Sequence, residues 1–176
     1  YHLLRDLLRS LIGVNVTSDE AATAAALHSV VTDLLGAEAG ETIEALRHLL
    51  LLPTSAADLS EGGPQAMQAQ YLAALRSLFL ALASRSPLVI VLEDTHWADP
   101  SSIDLLLKLL PLKDEIPILL VATTRPDRDV PGWQLLLSSG NPNANANTYQ
   151  IVLTPLPVEM SRELVANLLH FESLPE

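Results

Sequence analysis

The sequence predicts an α/β fold, a parallel sheet flanked by helices, with a helical N-terminal half. Two patterns carry that prediction. From Tyr1 to Ser84, apolar residues recur at helical spacing, punctuated by Gly13, Gly36 and Pro53. From Pro87 the pattern changes to aliphatic runs, Leu88–Leu92 and Ile116–Ala122, with one helical stretch between them. Runs without alternation read as parallel strands buried on both faces. Strand, helix, strand with short links reads as a parallel crossover. The segments expected are a helical one over 1–86, an α/β core over 87–156 and the start of a further helical region over 157–176.

In chain order, Leu3, Leu4, Leu7, Leu8 and Leu11 form one helical face, and Gly13 ends that helix. Ser18 suits an N-cap, with Asp19 and Glu20 at the positive end of the helix dipole, and Gly36 suits the stop. A third helix is expected from about Glu41 to Leu52, ended by Pro53. After a loop over Thr54–Gly63, Pro64 suits the first turn of a long helix to Ser84. Asp99-Pro100 reads as a cap and first-turn proline for a helix through Leu110. Gly132–Ser139 reads as a short helix, Asn141–Thr148 as a polar loop, Tyr149–Leu153 as a third strand and Pro157–His170 as a last helix.

Composition narrows the function classes. With 176 residues there is room for one domain, or one domain and the start of another. A hydrophobic fraction of 49% against 18% charged residues is enough to bury a core. The net charge of −11, with no basic stripe, argues against direct nucleic-acid binding and against anionic membrane surfaces. Arg85 and Pro87 break the richest apolar stretch, so no membrane span is expected. The absence of cysteine removes disulfides and thiolate zinc sites and suits a cytoplasmic location. The chain opens inside one amphipathic pattern and stops after another, with no signal-peptide pattern. Both ends are expected to continue into a longer polypeptide.

The chemistry gathers after the strands. Ligands of open α/β sheets bind outside the carboxyl ends of the strands. Glu93 and Asp94 follow the first run; Thr123, Thr124 and Arg125 follow the second. Carboxylates can hold a magnesium ion or its water, while hydroxyls and a guanidinium contact phosphate oxygens. The plainer reading is that a chain emerging from a buried strand turns polar. For Asp99 the capping role is the better reading. Trp97 reads as a packing residue and His96 as solvent-facing. His2, His28, His48 and His170 are scattered and make no metal-spaced cluster.

The run Leu88–Ser102 (LVIVLEDTHWADPSS) resembles the Walker B segment of the AAA-like signalling ATPases of the STAND class. Val121–Asp127 (VATTRPD) resembles the sensor strand of that class, and Leu153–Leu156 resembles the exit from its nucleotide-binding core. The resemblance implies a partial P-loop NTPase fold. Residues 1–86 would lie between the P-loop unit and the Walker B strand, and residues 157–176 would start a helical lid. It implies ATP and Mg2+ as cofactors, and a parent whose other domains, such as nucleotide cyclase or LuxR-type DNA-binding domains, are the partners. Glu93 would help hold magnesium. Asp94 would orient the attacking water and share in holding the metal. Arg125 would sense the γ-phosphate with help from Thr124. The order Glu then Asp reverses that of many P-loop ATPases.

The phosphate-binding motif Gly-x-x-x-x-Gly-Lys-Ser/Thr does not occur. The two lysines, Lys108 and Lys113, follow no such loop. Either the chain is a fragment whose loop lies upstream of Tyr1, or it is a degenerate domain; the start inside a helical pattern favours a fragment, expected to be inactive by itself. Two other readings stay open at this point. A noncatalytic α/β scaffold would need none of this chemistry. A receiver-like regulatory domain also has paired acids and a strand-end threonine, but it needs a later strand ending in Lys, which the sequence does not supply.

Overall fold

Each helix of the N-terminal half begins and ends for a local reason. The computed structural model describes residues 1–54, 63–138 and 148–169. Helix α1 (His2–Leu11) buries Leu4 and Leu8, one turn apart. It closes at Gly13, whose φ is 74°. The Gly13 amide donates to the Ser10 carbonyl at 3.2 Å and the Val14 amide to Arg9 at 3.0 Å. These paired bonds satisfy carbonyls that a helix end leaves open.

Helix α2 (Glu20–Leu35) is capped by Asp19, whose carboxylate accepts from the Ala22 amide at 2.6 Å. The expected cap, Ser18, is occupied elsewhere. Its hydroxyl accepts from the Asn15 amide at 3.2 Å and donates to the Asn15 side-chain oxygen at 3.3 Å. Gly36 ends α2 with φ 58°.

A 3-10 turn over Gly36–Glu38 feeds α3 (Ala39–Leu49), which starts and stops earlier than the sequence suggested. Its end repeats the bonding of α1: Leu51 donates to His48 at 3.0 Å and Leu52 to Arg47 at 2.9 Å. The residue at positive φ, 61°, is here a leucine, Leu51. Helix α4 (Gly63–Arg85) buries Tyr71, Ala74, Leu75, Leu78 and Phe79 at helical spacing.

The sheet follows the expected topology. Strands β1 (Leu88–Leu92) and β2 (Ile118–Ala122) are adjacent and parallel, with Leu88 opposite Ile118 and Leu92 opposite Ala122. Helix α5 (Pro100–Leu109) and a 3-10 turn over Leu110–Asp114 make the crossover. Burial departs from expectation. Ile90 and Leu92 are in the core, whereas Val89, Val91, Leu119 and Val121 are exposed. Among the described residues, the helices cover one face of the sheet and not both. An unbroken aliphatic run fits either arrangement, because alternation appears only when the outer residues are polar.

The core joins these layers through Leu4, Leu8, Leu27, Leu46, Leu75, Leu78, Ile103 and Leu105, all at most 1% exposed. Full burial of one such side chain is worth about 1.5–3 kcal/mol. Polar ties reinforce the packing. Arg5 Nε donates to the Leu49 carbonyl at 2.7 Å, and Gln68 donates to Asp104 at 2.5 Å.

By internal contacts the chain forms two units, Tyr1–Ser139 and Gly140–Glu176. The first ends with the short helix α6 (Trp133–Ser138). In the second, Tyr149–Leu153 forms no strand, against expectation, and these residues are exposed. A strand exists only where a neighbour completes its ladder, and none does so here among the described residues. Helix α7 (Val158–Leu169) agrees with the expected last helix; His170 lies outside the described residues, as does most of the polar loop over 141–148. Among the described residues, no helix is long and apolar enough to cross a membrane.

Candidate functional site

The two strand ends are stitched together beyond the regular sheet. Thr123 donates its amide to the Leu92 carbonyl at 2.9 Å, and Thr95 donates its amide to the Thr123 carbonyl at 2.9 Å. The Thr95 hydroxyl donates to the same carbonyl at 3.0 Å. The Asp94 amide donates to the Thr123 hydroxyl at 3.0 Å. Asp94 itself stands in the left-handed region, φ 51° and ψ 43°. Asp tolerates that conformation better than most residues. The kink directs the chain into a 3-10 turn over Thr95–Trp97 and then into α5.

These bonds set where each residue singled out in the sequence comes to lie. Glu93 continues the exposed parity of Val89 and Val91, and it is exposed. The register places it opposite Thr123, not Thr124. Thr124 falls on the covered parity, where its hydroxyl is buried without a hydrogen-bond partner. Asp94 presents a carboxylate that is 75% exposed. Arg125 is exposed. Glu93, Asp94, Thr124 and Arg125 therefore share the carboxyl edge of the sheet but divide between its two faces.

Two neighbours reverse their expected places. Trp97 is 78% exposed and does not pack in the core. His96 is buried, with both ring nitrogens lacking a hydrogen-bond partner. Its Nδ1 lies 3.8 Å from Asp94 Oδ1, beyond hydrogen-bonding distance. The rings of His96 and Trp97 are 5.1 Å apart and tilted. The one-residue step of a tight turn decides which ring enters, and apolarity does not.

Thr123 and His96 are thus the residues that sequence reasoning undervalued. A strand-end hydroxyl two residues before the arginine was a signal for the first. For the second there was none beyond its place in the motif.

Gly132, just before α6, seats against this turn. A Cβ at position 132 would stand 2.6 Å from the Thr95 carbonyl carbon, closer still to its oxygen, and 2.9 Å from Thr95 Oγ1. Glycine is required there by contact, since its φ is unremarkable.

Asp99 is bound as a cap. It accepts the Ser102 amide at 2.9 Å and the Ser102 hydroxyl at 2.6 Å. It also accepts the His2 amide at 2.7 Å. Partial burial acts to raise its pKa, but these donors together hold the carboxyl far below the usual carboxylate range.

The profile of the AAA ATPase domain family matches residues 2–121, more than half of the chain. The chain belongs to the AAA ATPase domain family. The matched span contains β1, the acidic pair and most of β2. This AAA-family chain is also similar to an uncharacterized protein of Rhizobium meliloti (strain 1021). The two are 39% identical over 67 residues, 38% of this chain and 6% of that relative. The chain thus spans a small part of a far longer relative. No solved structure matches it.

Proposed function

We propose that this chain is the Walker B and sensor portion of an ATP-hydrolysing signalling domain of the STAND class, within a larger multidomain polypeptide. The observation that carries the reading is the exposed pair Glu93 and Asp94 at the carboxyl edge of two parallel strands, beside Thr123–Arg125. The low coverage of the longer relative supports a multidomain parent.

The donor set suits Mg2+. Two accessible carboxylates offer hard oxygen ligands. Among the described residues no three His, Asp or Glu side chains gather into a metal group. The remaining positions would fall to phosphate oxygens and water, the usual state of a magnesium ion bound with a nucleotide. Bound there, the metal would neutralise charge on the transferring phosphoryl group.

Glu93 would hold the metal or its water. Asp94 orients the attacking water; the left-handed kink and the bond from its amide to Thr123 place its backbone. Arg125, exposed on the neighbouring strand end, contacts the γ-phosphate. The phosphate-cradling amides and lysine come from a segment outside these 176 residues.

The test is ATP turnover in the full polypeptide. Asp94→Asn should lower kcat at least tenfold with ATP affinity held, because a water-orienting carboxylate acts in the transition state. Arg125→Ala should narrow discrimination between ATP and ADP. Loss of ATP binding with turnover unchanged in Asp94→Asn would refute the assignment.

A further inference from the structure

His96 is the one buried ring in the chain's candidate site that makes no hydrogen bond, and its situation is specific. Only 6% of its side chain is exposed, against 75% for the Asp94 carboxylate 3.8 Å away. Buried imidazole nitrogens without partners are rare in folded proteins and call for an explanation. The ring has little freedom to find one by moving. It lies in a 3-10 turn whose first residue, Thr95, is bonded to Thr123 through both its amide and its hydroxyl. Gly132 closes over that same residue at a spacing that leaves no room for a Cβ. The Asp94 side chain, by contrast, is largely exposed to solvent.

We propose that His96 is a positioning residue for Asp94: its Nδ1–H donates to the Asp94 carboxylate and fixes the direction in which that carboxylate faces. Rotation of the exposed carboxylate by about 1 Å toward the ring brings Oδ1 within hydrogen-bonding distance. The anchored partner is the buried ring, and the exposed partner is the acid. The buried donor is thereby satisfied, and the acid loses the rotational freedom that would blur its aim at a water molecule. This use of the contact rests on reading Asp94 as the water-orienting acid; the contact itself does not.

The tautomer of His96 tests the pairing. A neutral imidazole that donates from Nδ1 carries its proton there, whereas without such an acceptor the ordinary preference is for Nε2. Long-range proton–nitrogen NMR spectra of the 15N-labelled chain, at about pH 8 where ordinary histidine is neutral, distinguish the two. A His96→Asn spectrum assigns the signals. The expected result is the Nδ1–H tautomer in the unsubstituted chain and a switch to Nε2–H in Asp94→Gly. Glycine suits the left-handed backbone of position 94, so the turn persists.

An Nε2–H tautomer in the unsubstituted chain overturns the proposal, and that measurement needs no variant to fold. An Nδ1–H tautomer kept in Asp94→Gly overturns it too. The measurement uses no nucleotide. Failure of the ATPase reading therefore leaves the pairing intact, and failure of the pairing leaves the role of Asp94 to be judged by turnover.

Discussion

Replacing Leu51 with glycine should stabilise the protein, and the end of α1 supplies the internal control. Both helix ends carry the same pair of closing hydrogen bonds, with one residue in the left-handed region. At the first it is Gly13; at the second it is Leu51. A side chain in that conformation costs roughly 1–2 kcal/mol through the clash of Cβ with the backbone carbonyl. Against that relief stands lost burial. Leu51 is 67% exposed, so about a third of a leucine's ~2 kcal/mol is forfeited. The net expectation for Leu51→Gly is a gain of about 0.5–1 kcal/mol. Gly13→Ala should lose about 1 kcal/mol for conformation alone, because nothing lies within 4 Å of a Cβ placed there. Urea denaturation of the two variants beside the parent chain measures both, with slopes unchanged if the denatured ensemble is unaltered. A destabilised Leu51→Gly alongside a neutral Gly13→Ala would refute the view that backbone conformation dominates these two ends.

Gly132→Ala should cost about 1–3 kcal/mol, since backbone must shift away from backbone at Thr95; a denaturation midpoint equal to the parent's would contradict the close approach. Asp99→Ala should cost about 1 kcal/mol at neutral pH through loss of the α5 cap. Because the folded pKa of Asp99 is depressed, its contribution is complete above the ordinary Asp value of about 4 and fades as pH falls below it. Denaturation curves of parent and variant should therefore converge in acid. Tyr71, buried and hydrogen-bonded to His48, has its phenol pushed up to about 12, mainly by burial and then by the nearby Tyr1, with Arg5 opposing. A raised folded pKa means that stability is full below the ordinary value of about 10 and falls as pH climbs from there toward 12. Thermal melts across that range should show the decline in the parent and less of it in Tyr71→Phe.

Much of this architecture was legible because its signals are local. Gly13, Gly36, Asp99 and Pro100 mark helix ends through backbone conformation and capping, and those marks need no tertiary context. The β1–α5–β2 crossover was legible because two aliphatic runs with a short helix between them admit few other arrangements. What stayed hidden depends on neighbours. Asp19 caps α2 because Asn15 claims Ser18, a competition that capping preference alone does not rank. Tyr149–Leu153 has strand composition but no ladder among the described residues. The position of Glu93 and Asp94 just after β1 was legible from the aliphatic run before them. Thr123, opposite Glu93 in the register, and His96, turned inward by a tight bend, became distinguishable from Thr124 and Trp97 only in three dimensions.

The left-handed kink at position 94 bears on the order of the two acids. At Glu93 the backbone is ordinary and indifferent to side-chain length. At 94 it favours residues with a short polar side chain, so aspartate fits where glutamate would be strained. Aspartate at position 94 is then a choice of shape as much as of chemistry. A comparison of related sequences that scores the two acids as interchangeable would erase this record of the bend. A scale weighting positions by permitted backbone angle would keep it, and would find kinked edges of this kind before any coordinates were known.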